Sequence, residues 1–316
     1  MLGSLPPRIG LTETRSPLEK RRRLRQKRQR RSAALFIVSA VLLVGGLMLT
    51  RKNEQPEKDD QATAESSPQA TRLASVSTAT PSPTPAASPI LLDKAKQAVD
   101  DIVKANPHLI IGVSLVDLAN GQRADVGGSH AFTAASTAKM IAATDFLQQV
   151  EKGTYSLSQK LGNGTAKYQL QQMINQSNND SWDLFNDLLG LPNEETFAHG
   201  VGLSSYDSST NSLSSNDMAT LLLKLYNGTL LNKDNTALLL SYMQKTNEES
   251  LIPAALPKGT KAYHKYGEYE DNVHDAAIVS DGKHLYILTI YTNGKGFYKY
   301  DERTETIHQI VKAVTS

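Results

Sequence analysis

Phe132-Thr133-Ala134-Ala135-Ser136-Thr137-Ala138-Lys139-Met140 sets a serine and a lysine three residues apart at the head of an apolar helical run, Thr137 to Lys152. On a helix, residues i and i+3 share a face, so Lys139 can lie beside Ser136. A serine hydroxyl is a weak nucleophile that needs a neighbouring base. A lysine serves as that base only when burial or another cation depresses its pKa. The helix N-terminus adds a dipole that favours developing negative charge. Ser-x-x-Lys alone is a short pattern with a high chance rate, and an ordinary helix N-cap is the competing reading of Ser136. The rest of the chain decides between the two.

Leu91 to Ala105 reads as a helix, with Ala95, Ala98, Val99, Ile102 and Val103 at helical spacing. His108 to Asp117 is rich in β-formers, and Asn120-Gly121 is a hairpin turn leading to a second strand directed toward Phe132. Helices are expected over Tyr168 to Asn178, Trp182 to Leu189 and Asn216 to Asn227, with another around Phe197. Ala276 to Val279 and His284 to Tyr291 read as strands joined at Asp281-Gly282, and Glu302 to Val314 closes the chain as a helix. This order predicts an α+β domain: an antiparallel sheet flanked by terminal helices, with an all-helical lobe inserted. A cleft between the two lobes is the expected place for a site.

Two further segments follow in order. Ser177-Asn178-Asn179 sits inside Met173-Ile-Asn-Gln-Ser-Asn-Asn-Asp180, between two predicted helices. Lys265-Tyr266-Gly267 precedes the last strands. Asn216-Asp217-Met218-Ala219 opens a helix, and His274-Asp-Ala-Ala-Ile-Val279 lies on a late strand. Together these resemble the class A β-lactamases and the related penicillin-binding DD-peptidases, whose Ser-x-x-Lys, Ser-Asp-Asn and Lys-Thr-Gly segments occur in this sequence order. The resemblance spans about residues 92–315. It implies that Ser136 attacks an amide carbonyl and becomes acylated, and that Lys139 helps take its proton. Ser177 passes a proton to the leaving nitrogen. Asn179 binds the substrate amide and steadies Lys139, and Lys265 supplies positive charge for the substrate carboxylate and for Ser177. Tyr266 and Gly267 line the substrate strand, and the amides of Ser136 and Glu268 form the oxyanion hole. No cofactor is implied.

The chain departs from that pattern at three places. Asn178 stands where the family has an aspartate, of nearly the same shape but without its charge. Tyr266 stands where a small hydroxyl residue is usual, and its hydroxyl lies several ångströms further out. The family's deacylating glutamate belongs on a long loop that here shrinks to Val201–Ser215, which holds no glutamate. Asp207 is the one acid inside it and the weak candidate for that base. Glu194 and Glu195 read instead as first-turn helix residues. His264, beside Lys265, reads as structural or exposed. The remaining histidines lack metal spacing, and His274 and Asp275, as successive strand residues, point to opposite faces.

Charge is divided unevenly. Residues 1–52 carry +11, residues 53–89 carry −3 and residues 90–316 carry −6. The acidic domain argues against a nucleic-acid partner. Residues 1–31 read as a basic cytoplasmic tail, with nine cations between Lys20 and Arg31. Residues 32–50 read as a transmembrane helix, since Ala33 to Leu49 is long enough to cross a bilayer core. The positive flank orients the tail inward and the rest outward. A cleaved signal peptide is the competing reading, with a shorter apolar core as its usual mark. Residues 51–89 are rich in Pro, Ser and Thr and read as a disordered tether. Residues 90–316 form the hydrolase-like domain. With no cysteine in the chain, disulfides and a lipidated-cysteine anchor are excluded. Three functions remain open: a β-lactamase, a DD-peptidase-like enzyme on peptidoglycan peptides, and a non-catalytic cell-wall-binding module.

Overall fold

The computed structural model describes Ile90, residues 92–296 and residues 299–315. The expected basic tail, membrane span and tether all lie outside these residues. Among the described residues, no helix is long and apolar enough to cross a membrane.

A helix, α1 (Leu92–Ala105), leads into a hairpin of β1 (Ile110–Asp117) and β2 (Arg123–Val126). Gly121, at φ +73, makes its turn. The C-terminal part supplies β7 (Lys261–Tyr269), β8 (Asn272–Ser280), β9 (Leu285–Asn293) and the last helix, α9 (Tyr300–Thr315). These strands join in one antiparallel sheet of order β2-β1-β9-β8-β7, with β7 at an edge. Period-two alternation sorts the sheet's side chains between two cores. On β8, Val273, Ala277 and Val279 face the layer of α1 and α9, joining Val99, Ile307, Ile310 and Val311. Ala276 and Ile278 face the helical lobe.

That lobe is built around α2 (Lys139–Glu151), in which all nine residues from Lys139 to Leu147 are buried. A helix buried all round is the centre of its lobe rather than an amphipathic cover. Around it run α3 (Ala166–Asn175), α4 (Asn179–Leu189), α5 (Leu191–Gly200), α6 (Ser215–Tyr226) and α7 (Lys233–Tyr242). Side-chain oxygens cap four of them. Thr165 accepts from the Tyr168 amide, Asn178 from Ser181, Ser214 from Asp217 and Asn232 from Asn235.

The α+β architecture matches the sequence expectation, and several boundaries need correction. The strand expected to run toward Phe132 stops at Val126, because Gly127 turns the chain at φ +59. Phe132 belongs to a separate short strand, β3 (Ala131–Thr133), which pairs with β6 (Ser212–Ser214). The helix expected through Asn178 ends at Asn175. Ser177 has φ +52, which no helix continues. Asn178 instead caps the next helix, which starts three residues earlier than Trp182. Lys265 lies within a nine-residue strand rather than merely before the strands.

Candidate active site

The nucleophile turn is pinned from three sides. After β3 the chain passes Ala135 at φ +52 and enters one turn of 3-10 helix, Ala135–Ala138. A non-glycine residue held there stores strain that its surroundings must impose. They do so through Asn211, whose carbonyl accepts from the Ala134 amide at 2.7 Å and whose Nδ2 donates to the Ala135 carbonyl at 3.1 Å. Thr137 Oγ1 bonds the Ala134 carbonyl at 2.6 Å and meets the buried Tyr291 hydroxyl at 2.6 Å. From the third side comes β7. A Cβ on Gly267 would stand 2.9 Å from both the Ala134 carbonyl and the Thr137 amide and 3.0 Å from the Ser136 amide. Only glycine lets this strand lie so close to the turn.

Lys139 is the hub. It is fully buried, and its Nζ donates to Ser136 Oγ at 2.8 Å, Ser177 O at 2.6 Å, Asn179 Oδ1 at 2.8 Å and Ser177 Oγ at 3.3 Å. The Trp182 ring lies 5.1 Å away. Burial, and then the charge of Lys265, lower its pKa from 10.5 to about 6. At neutral pH most of it is therefore an amine in contact with the Ser136 hydroxyl, which is what a general base requires. Lys265, also fully buried, donates to Ser177 Oγ at 2.9 Å and to the Tyr266 carbonyl at 2.9 Å. Burial lowers it to about 7, against an opposing pull from Asp275. Although Lys265 lies on an edge strand, it is therefore enclosed rather than solvated. Ser177 Oγ accepts from both lysines, which leaves its own proton free for a further acceptor. The helical lobe and the edge strand meet at that oxygen.

Ser136, Lys139, Ser177, Asn179 and Lys265 are therefore brought together, with Gly267 against the turn. Glu268 lies on the exposed end of β7. Tyr266 faces away from the lobe. Its ring packs toward the α1/α9 core, 4.2 Å from Lys265 Nζ, and its hydroxyl donates to Asn247 Oδ1 at 3.3 Å.

Asp207 is not brought in. Its Oδ1 accepts from the Ser209 amide at 2.8 Å, the Ser209 hydroxyl at 2.6 Å and the Thr210 amide at 3.1 Å. These bonds hold its pKa below the usual carboxylate range. They also tie its carboxylate to its own turn, and among the described residues no hydrogen bond joins it to the five residues just named. Glu195 accepts from the Ser208 amide and hydroxyl at 2.9 and 2.7 Å. Glu194 lies in the first turn of α5, as expected. It is fully buried, neither carboxyl oxygen has a partner, and burial and then Asp145 raise it to about 8. Sequence reasoning missed Asn211 and Asn247, whose roles come from long-range pairing and leave no local signal. His274 and Asp275 do diverge: His274 Nε2 is 2.9 Å from the Thr133 carbonyl, while Asp275 meets His264.

The family model of the β-lactamase enzyme family matches residues 94–316. The chain belongs to that family. Among solved structures, PBP-A superposes with a TM-score of 0.66 at 26% identity, covering 72% of this chain and 97% of that one. A variant of PBP-A in acyl-enzyme complex with penicillin G gives 0.65 at 25%, covering 71% and 95%. A β-lactamase from Xanthomonas campestris shares the fold, with a TM-score of 0.65 at 22% identity, covering 70% of this chain and 96% of its own. No curated protein matches the chain in sequence. Within the β-lactamase family, the three segments noted above fall on the elements that meet at Ser177 Oγ.

Proposed function

We propose that this chain is a penicillin-acylated serine hydrolase of the DD-peptidase type, fast in acylation and slow in release. One observation carries the reading. Lys139 Nζ is shared among Ser136, Ser177 and Asn179, with no carboxylate among its partners. Acylation needs only this set. The Ser136 proton passes to neutral Lys139 as Oγ bonds to the carbonyl carbon. Ser177 then gives its proton to the leaving nitrogen and is resupplied by Lys139. The Ser136 amide and the β7 backbone hold the oxyanion, and Lys265 as a cation attracts a substrate carboxylate. Hydrolysis of the acyl-serine needs a second base to activate water, and a missing positioned base costs about 10²–10⁴ in rate. The likeness to PBP-A, a variant of which forms an acyl-enzyme complex with penicillin G, supports acylation of the serine. The N-terminal sequence supports the DD-peptidase type, since it would tether the domain outside a membrane within reach of cell-wall peptides.

The β-lactamase reading differs in turnover alone, so one experiment separates them. The full-length chain is mixed with a fluorescent penicillin and, in parallel, a chromogenic cephalosporin. A stable label with little colour is the expected result, and Ser136→Ala should abolish the label. Rapid colour with little label would make the protein a β-lactamase. A folded chain that gives neither, indistinguishable from Ser136→Ala, would bring forward the non-catalytic wall-binding reading.

A further inference from the structure

Lys265 has a buried, titratable neighbour on the opposite face of its strand. His264 is enclosed, with Nδ1 3.0 and 3.1 Å from the two oxygens of Asp275. Its Nε2 is 3.1 Å from Thr246 Oγ1 and 3.2 Å from Glu249 Oε1. Carboxylates at both ring nitrogens call for a proton on each, hence an imidazolium. Asp275 is fully buried as well, and its oxygens also accept from the Ile252 and Ala276 amides at 3.0 Å each.

The partners of His264 lead to the other side of the cleft. Its amide donates to the Met243 carbonyl at 2.8 Å, at the start of the loop that carries Thr246, Asn247 and Glu249. Asn247 donates from its amide to the Asn175 carbonyl at 3.2 Å and from Nδ2 to the Gln176 carbonyl at 3.1 Å. Asn175 Nδ2 reaches back to the carbonyls of Tyr242 and Gln244 at 3.1 and 3.0 Å. Asn175 and Gln176 run directly into Ser177.

We propose that His264, held as a cation between Asp275 and Glu249, is a positioning residue that ties the Lys265 strand to the Ser177 turn and offsets part of the Asp275 charge felt by Lys265. This rests on the acyl-serine reading of the site. Burial works against the cation, and Asp275 and Glu249 together outweigh it, raising the imidazole to about 9. The charged and titratable groups around it are Asp275 from β8, Glu249 and Glu248 from the loop, and Lys265 and Tyr266 on its own strand. From α9, Tyr300 and His308 approach the loop at Ser250.

Two measurements on the full-length chain test this. Imidazole nitrogen NMR of the wild-type protein should find both His264 nitrogens protonated through neutral pH and beyond; a midpoint near the free value of about 6.5 overturns the proposal. The second is the pH profile of penicillin labelling, whose alkaline limb reports loss of the Lys265 charge. His264→Asn leaves Asp275 unopposed and should move that limb up by about one unit, and Asp275→Asn should move it down. Slower labelling with the limb unmoved in both variants means a merely structural histidine, and the proposal fails. If the wild-type chain takes no penicillin, the acyl-serine reading fails by itself. The NMR titration then still decides the charge, and exchange protection of the Asn247 amide, expected in wild type and lost in His264→Asn, decides the tie.

Discussion

Replacing Lys265 by glutamine should make Lys139 a stronger base and a later one. Both nitrogens bond Ser177 Oγ, at 3.3 and 2.9 Å, which puts them within about 6 Å of each other. Two unit charges at that distance repel by about 1.4–2.8 kcal/mol for an effective dielectric of about 20–40, or one to two pH units. Lys139, lowered to about 6 partly by this charge, is released from it in the variant. The base must be neutral to act, so the acid limb of penicillin labelling should move from about 6 to between about 7 and 8. The alkaline limb, set by Lys265 at about 7, should vanish with the residue. The assay is the second-order rate of fluorescent penicillin labelling from pH 5 to 9, with denaturant midpoints as the control for folding. The maximum rate should fall too, since Ser177 loses a donor. That fall alone tests nothing. An acid limb that stays near 6 in a folded Lys265→Gln protein would refute the claim that the two lysines are electrostatically coupled.

Three other substitutions read different parts of the site. Gly267→Ala drives a methyl against the Ala134 carbonyl and the Thr137 amide, backbone atoms that cannot yield. It should cost about 1–3 kcal/mol in denaturant unfolding and depress labelling at every pH; wild-type labelling would show the strand is not held against the turn. Glu194 has its folded-state pKa raised to about 8 from 4.5, so folding takes up a proton between those values. Its stabilising contribution is full below 4.5 and lost as pH rises through about 8, at up to about 1.4 kcal/mol per pH unit. Glu194→Gln should therefore match wild type in urea midpoint near pH 5 and exceed it at pH 8, and parallel pH dependences would contradict the buried acid. Asp207→Asn should leave acyl-enzyme hydrolysis unchanged, as followed by loss of label; a clear slowing would return Asp207 to the site.

The nucleophile and its lysine were legible because their geometry is local: three residues on one helical turn need no tertiary information. The Ser177 turn was half legible. Its serine and asparagines marked a boundary, yet the helix was read through to Asn178, since nothing in Gln-Gln-Met-Ile-Asn-Gln signals a left-handed residue at 177. The edge strand was the least legible part. Tyr263-His264-Lys265-Tyr266 looks solvated residue by residue, and its burial depends on Asp275, Glu249 and Ser177, which arrive from three other segments. Asn211 was silent for a similar reason, since it reaches Ala135 only through the β3–β6 pairing. The overall α+β order survived these errors because hydrophobic periodicity fixes which faces are covered, while polar tertiary contacts leave no periodic trace.

On the proposed reading, the loop over residues 201–215 is what separates acylation from release. Four carboxylates lie within or beside it; three are bonded to the loop and the fourth is buried. Glu195 holds Ser208, Asp207 its own turn, and Asp217 the Ser205 amide and hydroxyl at 2.7 and 2.6 Å. Glu194 is sealed in the lobe with its proton. None is then left to order a water against an acyl group on Ser136. On that reading, turnover calls for an acid that this loop does not supply, whereas acylation draws on the Ser136 turn, which Asn211 of the same loop helps to pin, and on Lys139, the Ser177 turn and β7.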